Sequence, residues 1–376
     1  MKVVVAIDSF KGSLSSLQAG NAVKEAVLGF NKDAQVVVKP MADGGEGTVD
    51  AFAGASGAQT VEITVTGPRY QPVKAKYCIL ADGCTAVMEM AAAAGITLIS
   101  AAERNPLETT TYGVGEMIKD AIAKGCRRFI MGIGGSATND GGIGMLTALG
   151  YEFLNQNGEP VATCGKGLQE IVCIRKGNIL PALKECTFRI ACDVENPLCG
   201  EIGCSAIYGP QKGATPAMIG DMDGWLAHYA EIAKTVSATA DPLYPGAGAA
   251  GGLGFAFLAF TNAELKSGIQ LVLEEIALEQ DIRDADIVVT GEGRLDAQSV
   301  MGKAPVGVAR LAKKYGKKVI AFSGCVTEEA EACNDHGIDA FFPILRQVTT
   351  LEDALNPENA YKNLRKTATQ VFRLIL

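Results

Sequence analysis

The chain opens on a short unbroken apolar run, Lys2-Val3-Val4-Val5-Ala6-Ile7, that stops at Asp8. A β-branched run of that length with no polar alternation predicts a strand buried on both faces, as in a parallel sheet. Leu17, Val23, Ala26 and Val27 then recur near helical spacing, with Ser13 or Ser15 placed to cap the helix. Ala34–Val38 reads as a second strand, closed by Pro40. The carboxyl-terminal part repeats the alternation. Strands are expected at Asp286–Thr290, Lys318–Ser323 and Ile338–Phe342, and helices at Val306–Tyr315, Thr327–Asp335 and Asn359–Leu376. Alternating elements of this kind predict a parallel sheet covered on both faces.

The middle of the chain follows another pattern. Val61–Val65 and Val73–Leu80 flank Gly67-Pro68-Arg69-Tyr70, the signature of an antiparallel hairpin. Glycine-rich loops then separate short strands such as Arg128–Gly132 and Phe188–Cys192. The expected fold is therefore α/β: a discontinuous Rossmann-like or flavodoxin-like parallel-sheet domain, residues 1–60 and 268–376, with a large mixed α/β domain, 61–267, inserted in it. The cleft between two such domains is the expected ligand site.

Composition narrows the function classes. With 376 residues, 48% apolar and 20% charged, the chain has enough apolar material for two cores. A net charge of −8 with no long basic run argues against a nucleic-acid partner. The first apolar run is too short for a signal peptide, and prolines and glycines between Pro242 and Gly254 break the one long uncharged stretch, so no membrane partner is expected. Eleven cysteines without a C-x-x-C pair suit reduced thiols and a cytoplasmic location.

The 44 glycines matter for where they sit. In open α/β sheets, ligands bind off the carboxyl ends of strands, and five glycine-bearing polar clusters follow predicted strands. Asp8-Ser9-Phe10-Lys11-Gly12-Ser13 offers a lysine and hydroxyls at a helix start, an anion site or simply a capped helix. Asp43-Gly44-Gly45-Glu46-Gly47-Thr48 offers Asp43 to Mg²⁺; the plainer reading is a solvated turn whose Glu46 complements a helix dipole. Gly134-Gly135-Ser136-Ala137-Thr138-Asn139-Asp140-Gly141-Gly142 concentrates N–H donors, hydroxyls, an amide and a carboxylate, and reads as a phosphate nest. Gly132–Ala137 also fits the dinucleotide fingerprint, although Asn139-Asp140-Gly141-Gly142 interrupts the helix it requires. Asp193 closes a strand, and Lys212 in Gly209–Ala214 is a further phosphate lysine candidate. The last cluster places Glu292, Arg294, Asp296 and Gln298 in one predicted loop. Lys303 is not a Walker A lysine, since no Ser or Thr follows it.

These clusters occur in one order along the chain, together with Gly248–Gly254, Glu89-Met90-Ala91 and Thr109–Gly113. Jointly they resemble the bacterial glycerate kinase family, type 1, from Met1 to the last helix. The resemblance implies transfer of a phosphoryl group from ATP to D-glycerate, with Mg²⁺ required and 2-phosphoglycerate as the usual product. On that expectation Gly134, Gly135, Ser136, Ala137, Thr138, Asn139 and Gly141 cradle the nucleotide phosphates with Lys11 or Lys212. Arg294 grips the glycerate carboxylate, with Ser9, Lys11, Glu292 and Gln298 as further substrate contacts. Asp193 or Asp296 is the base, and Asp43 and Asp140 are the metal carboxylates. A homo-oligomer is compatible with all of this. The competing readings are an NAD-dependent hydroxy-acid dehydrogenase and a non-catalytic two-domain anion-binding protein.

Overall fold

Val3–Ile7 are fully buried and form β1 (Lys2–Ile7) in a computed structural model that describes residues 1–45, 47–54 and 57–375, with Met301 described by its backbone alone. Glu46, with its expected dipole role, lies outside the described residues. Ser15 is the helix cap: its hydroxyl accepts from the Gln18 N–H at 3.2 Å, and the Gln18 side-chain oxygen accepts from the Ser15 N–H at 2.9 Å. The helix runs Ser16–Phe30. β2 (Gln35–Val38) lies parallel to β1, with Val3 opposite Val36.

The strands that follow are β3 (Gln59–Thr66), β4 (Pro72–Ile79), β5 (Thr85–Glu89), β6 (Arg128–Gly132), β7 (Glu152–Leu154), β8 (Cys173–Arg175), β9 (Thr187–Ala191) and β10 (Ala263–Lys266). The chain then adds β11 (Ile287–Leu295), β12 (Lys318–Val326) and β13 (Ala340–Pro343). It divides into two compact units, Met1–Asp43 with Asp50–Gly54 and Ile269–Leu376, and Gly44–Val49 with Ala55–Gly268.

The first unit holds an all-parallel sheet in the order β13-β12-β11-β1-β2. Counted within this unit alone, that is the flavodoxin-like order 2-1-3-4-5, whose switch point falls between β1 and β11. Helix Pro357–Ile375 lays Ala360, Leu364, Ala368, Val371 and Phe372 against helix Ser16–Phe30 and the sheet. The second unit holds a mixed sheet, β10-β9-β6-β5-β4-β3. β3, β4 and β5 pair antiparallel, as the hairpin pattern predicts, while β5, β6, β9 and β10 pair parallel. Its core includes the stacked rings of Phe129 and Phe188, 4.7 Å apart.

Two expected elements change. β11 extends five residues beyond Thr290, because Ser323–Val326 of β12 continue the ladder, with Arg294 opposite Cys325. Thr327–Asp335 is a 3₁₀ turn, Glu328–Glu331, followed by one short helical turn, Ala332–Asp335. Among the described residues no helix is long and apolar enough to cross a membrane.

Candidate active site

Two polar clusters emerge, one in each unit. The first lies at the switch point, where β1 ends at Ile7 and β11 runs on past it. Asp8 is the first residue beyond β1, and its N–H donates to the carbonyl of Gly291 at 2.9 Å. Its carboxylate is 5% exposed and accepts from the Ser9 N–H at 2.6 Å. Phe10 and Leu14 exchange two backbone hydrogen bonds, so Lys11–Ser13 form a tight turn and not the helix start the sequence suggested. Lys11 Nζ lies 3.7 Å from Asp43 Oδ2.

The extended part of β11 supplies the other side of this cluster. Glu292 is buried and accepts from the hydroxyl of Ser299, itself fully buried, at 2.6 Å. Arg294 Nε lies 3.4 Å from Asp296 Oδ2, while most of the arginine faces solvent. The Gln298 N–H donates to Asp296 Oδ1 at 2.9 Å, which fixes that carboxylate in an Asx turn. Lys303 Nζ stands between the two acids, 3.9 Å from Glu292 and 3.8 Å from Asp296.

Four acids therefore face three cations. Burial, then the negative field of Asp43, pushes the Asp8 carboxyl up to about 7, against the Ser9 N–H and Lys11. Burial also raises Glu292, against the Ser299 hydrogen bond and the Lys303 charge. For both carboxyls burial outweighs the positive charge that Lys11 and Lys303 supply. Their hard oxygens suit Mg²⁺, which takes one or two protein carboxylates and completes its shell with phosphate oxygens and water. Among the described residues no three such side chains converge closely enough to hold a metal unaided.

The second cluster is the segment after β6. Gly134 and Gly135 are exposed, Ser136 is 8% exposed, and Thr138, Asn139 and Asp140 are fully buried. Asp140 accepts from the Thr111 N–H and hydroxyl, both at 2.8 Å, from the Gly142 N–H at 3.1 Å and from the Gly144 N–H at 3.3 Å. The Asn139 amide donates to the Ser205 hydroxyl at 3.0 Å. The Gly141 N–H donates to the Gly251 carbonyl at 2.9 Å. Gly251 is at φ +69°, and a Cβ there would lie 2.1 Å from the Thr138 oxygen, so only glycine lets these two chains touch.

Burial accounts for the composition of this loop. Its polar groups are numerous because the loop is buried and its backbone needs internal partners; Ala137, Thr138, Asn139 and Gly141 face protein. The part left open is Gly134–Gly135. Asp140, the expected metal carboxylate, takes four donors on two oxygens, the arrangement of a loop anchor. Burial raises its carboxyl, against those hydrogen bonds. No helix follows Ala137 directly; the next is Ile143–Ala148, so the dinucleotide fingerprint lacks its helix.

Lys212, the other phosphate lysine candidate, lies in the interior. It is 2% exposed and donates to the Ser136 hydroxyl at 2.8 Å and the Thr138 carbonyl at 2.7 Å. Burial brings its ammonium down to about 8. Asp193, two residues past β9, accepts from the Gly268 N–H at 2.9 Å. Sequence reasoning assigned no role to Asp8 or Lys303. Asp8 had a signal, as the first polar residue after a buried strand. Lys303 had none, because its neighbours meet only through the unexpected length of β11.

The family model described as the glycerate kinase family matches residues 3–376. A glycerate kinase of Haemophilus influenzae is 48% identical over 375 residues, covering 100% of this chain and 99% of that one. A glycerate 2-kinase of Escherichia coli K12 is 46% identical, covering 99% and 97%. The crystal structure of a Salmonella typhimurium LT2 protein inferred to be glycerate kinase 2 superposes with a TM-score of 0.93 at 43% identity, covering 100% and 98%.

Proposed function

We propose that this chain, which belongs to the glycerate kinase family, transfers the terminal phosphoryl group of ATP to the 2-hydroxyl of D-glycerate, releasing ADP. The observation that carries the reading is the cluster at the switch point, where a solvent-facing Arg294 and two lysines stand among four carboxylates. A small acid that carries a hydroxyl needs both kinds of group within one reach.

Phosphoryl transfer asks a protein mainly for positioning and charge neutralisation. The Arg294 guanidinium takes the glycerate carboxylate, since its fork matches two oxygens. Asp296, 3.4 Å from the arginine, orients it and is the first choice of base for the attacking hydroxyl; Asp193 is the other. Ser9, Lys11 and Gln298 offer further donors to the acid, and Glu292 an acceptor for its second hydroxyl. The exposed Gly134–Gly135 turn offers main-chain donors to the nucleotide phosphates. Asp8 and Asp43 would hold Mg²⁺, which supplies charge neutralisation on the phosphate oxygens when bound.

ADP release measured with ATP and Mg²⁺, with and without D-glycerate, tests the reading. Release that depends on the acid and saturates with it is expected. An acid-independent rate, or none, overturns it. Lactate in place of glycerate removes one hydroxyl and is expected to be a poorer acceptor.

A further inference from the structure

We propose that Lys212 is a positioning residue, which sets the conformation of the Gly134–Gly142 loop from behind and does not itself meet the phosphates. The proposal rests on reading that loop as the nucleotide site. Lys212 closes the 3₁₀ turn Pro210–Lys212, and Gly213 follows at φ +92°, where a Cβ would lie 2.3 Å from the Arg104 carbonyl oxygen. Only glycine fits there, which fixes the backbone of the turn that carries the lysine. Its ammonium reaches two points of the loop two residues apart, the Ser136 hydroxyl and the Thr138 carbonyl oxygen.

An ammonium held in the interior is costly unless its hydrogen bonds compensate. Among the described residues no acid forms an ion pair with Lys212, and an apolar chain of similar length would fill the same space without that cost. Its third donor position has no hydrogen-bond partner among the described residues. The charge is therefore explained by what it ties down. Without it the buried Thr138 carbonyl and the nearly buried Ser136 hydroxyl would each lose a partner. Asp140 ties the other end of the same segment through its four donors. Residues 136–140 are thus held at one end by a buried ammonium and at the other by a buried carboxyl. The open Gly134–Gly135 turn leaves this clamped segment from its cationic end, so Lys212 governs where its N–H groups point. The role is indirect, through Ser136 and Thr138.

Lys212→Met, Ser136→Ala and the double variant test this in the full chain. Hydrogen exchange of peptides covering 134–142 needs no substrate, and steady-state kinetics gives KM for ATP and for glycerate separately. Lys212→Met is expected to speed exchange in 134–142 while leaving β1 and β11 unchanged. It is expected to raise the ATP KM by about tenfold or more, the loss of charge-assisted hydrogen bonds, and to leave the glycerate KM within about twofold. Ser136→Ala is expected to show the same pattern at smaller size, and the double variant to be little worse than Lys212→Met. Native exchange in the loop combined with lost ATP affinity would mean direct contact and overturn the proposal. So would an unchanged ATP KM, or fully additive effects. If Lys212→Met does not fold, Ser136→Ala decides alone: unchanged exchange and unchanged ATP KM overturn it. A wild-type protein that forms no ADP from ATP and glycerate would sink the kinase reading instead, and the exchange result would still judge the clamp.

Discussion

Arg294 and Asp8 are the single residues on which most depends. Replacing Arg294 with Ala removes the proposed carboxylate fork while leaving the backbone of β11 paired to β12. Steady-state kinetics should show a glycerate KM raised roughly 10–100-fold, the range for hydrogen bonds to charged groups, with the ATP KM nearly unchanged. Equal losses for both ligands would remove the assignment. Asp8 makes a stability prediction. Its carboxyl titrates near 7 in the folded chain, against about 3.8 ordinarily, so between those values the folded state holds a proton the unfolded state has lost. Stability in metal-free buffer therefore falls as pH rises across that window, and Glu292, also raised, adds to the slope. Asp8→Asn should flatten the curve, a gain on the order of a few kcal/mol near neutrality. Denaturant melts with chelator from pH 4 to 8 measure it, and an unchanged slope would contradict the burial argument.

Loops and strand ends are where sequence and structure part company. Val3–Ile7 announces its strand through an unbroken apolar run, and the β3–β4 hairpin announces itself through its turn, because burial and turn chemistry write directly into residue type. The far half of β11 does not. Gly291-Glu292-Gly293-Arg294 has the composition of a loop, and only the β12 ladder makes it a strand. The Gly134–Gly142 segment misleads in the opposite sense. A buried irregular segment must satisfy its own backbone, and the side chains that do so look like ligand-binding groups. Asp140 exposes the difference. Asp140→Ala should lower stability by about 2–4 kcal/mol, since the N–H groups of Thr111, Gly142 and Gly144 lose their acceptor. In the folded fraction the Mg²⁺ dependence of the rate should be unchanged. A selective loss of Mg²⁺ affinity at wild-type stability would restore the metal role.

For the whole molecule, the family match runs from residue 3 to residue 376, so the insertion belongs to the family as much as the flavodoxin-like sheet does. The net charge of −8 does not by itself exclude anionic substrates, because Lys11, Arg294 and Lys303 stand among the carboxylates at the switch point as local partners for an anion. What the chain does with those groups is decided by its product. Phosphorus NMR of the mixture formed from D-glycerate, ATP and Mg²⁺ reads activity and position together, since a phosphate on the 2-oxygen couples to one carbon-bound proton and a phosphate on the 3-oxygen to two. A new monoester resonance split into a doublet, growing as ADP appears, is the predicted result; a triplet, or no new resonance, would contradict it.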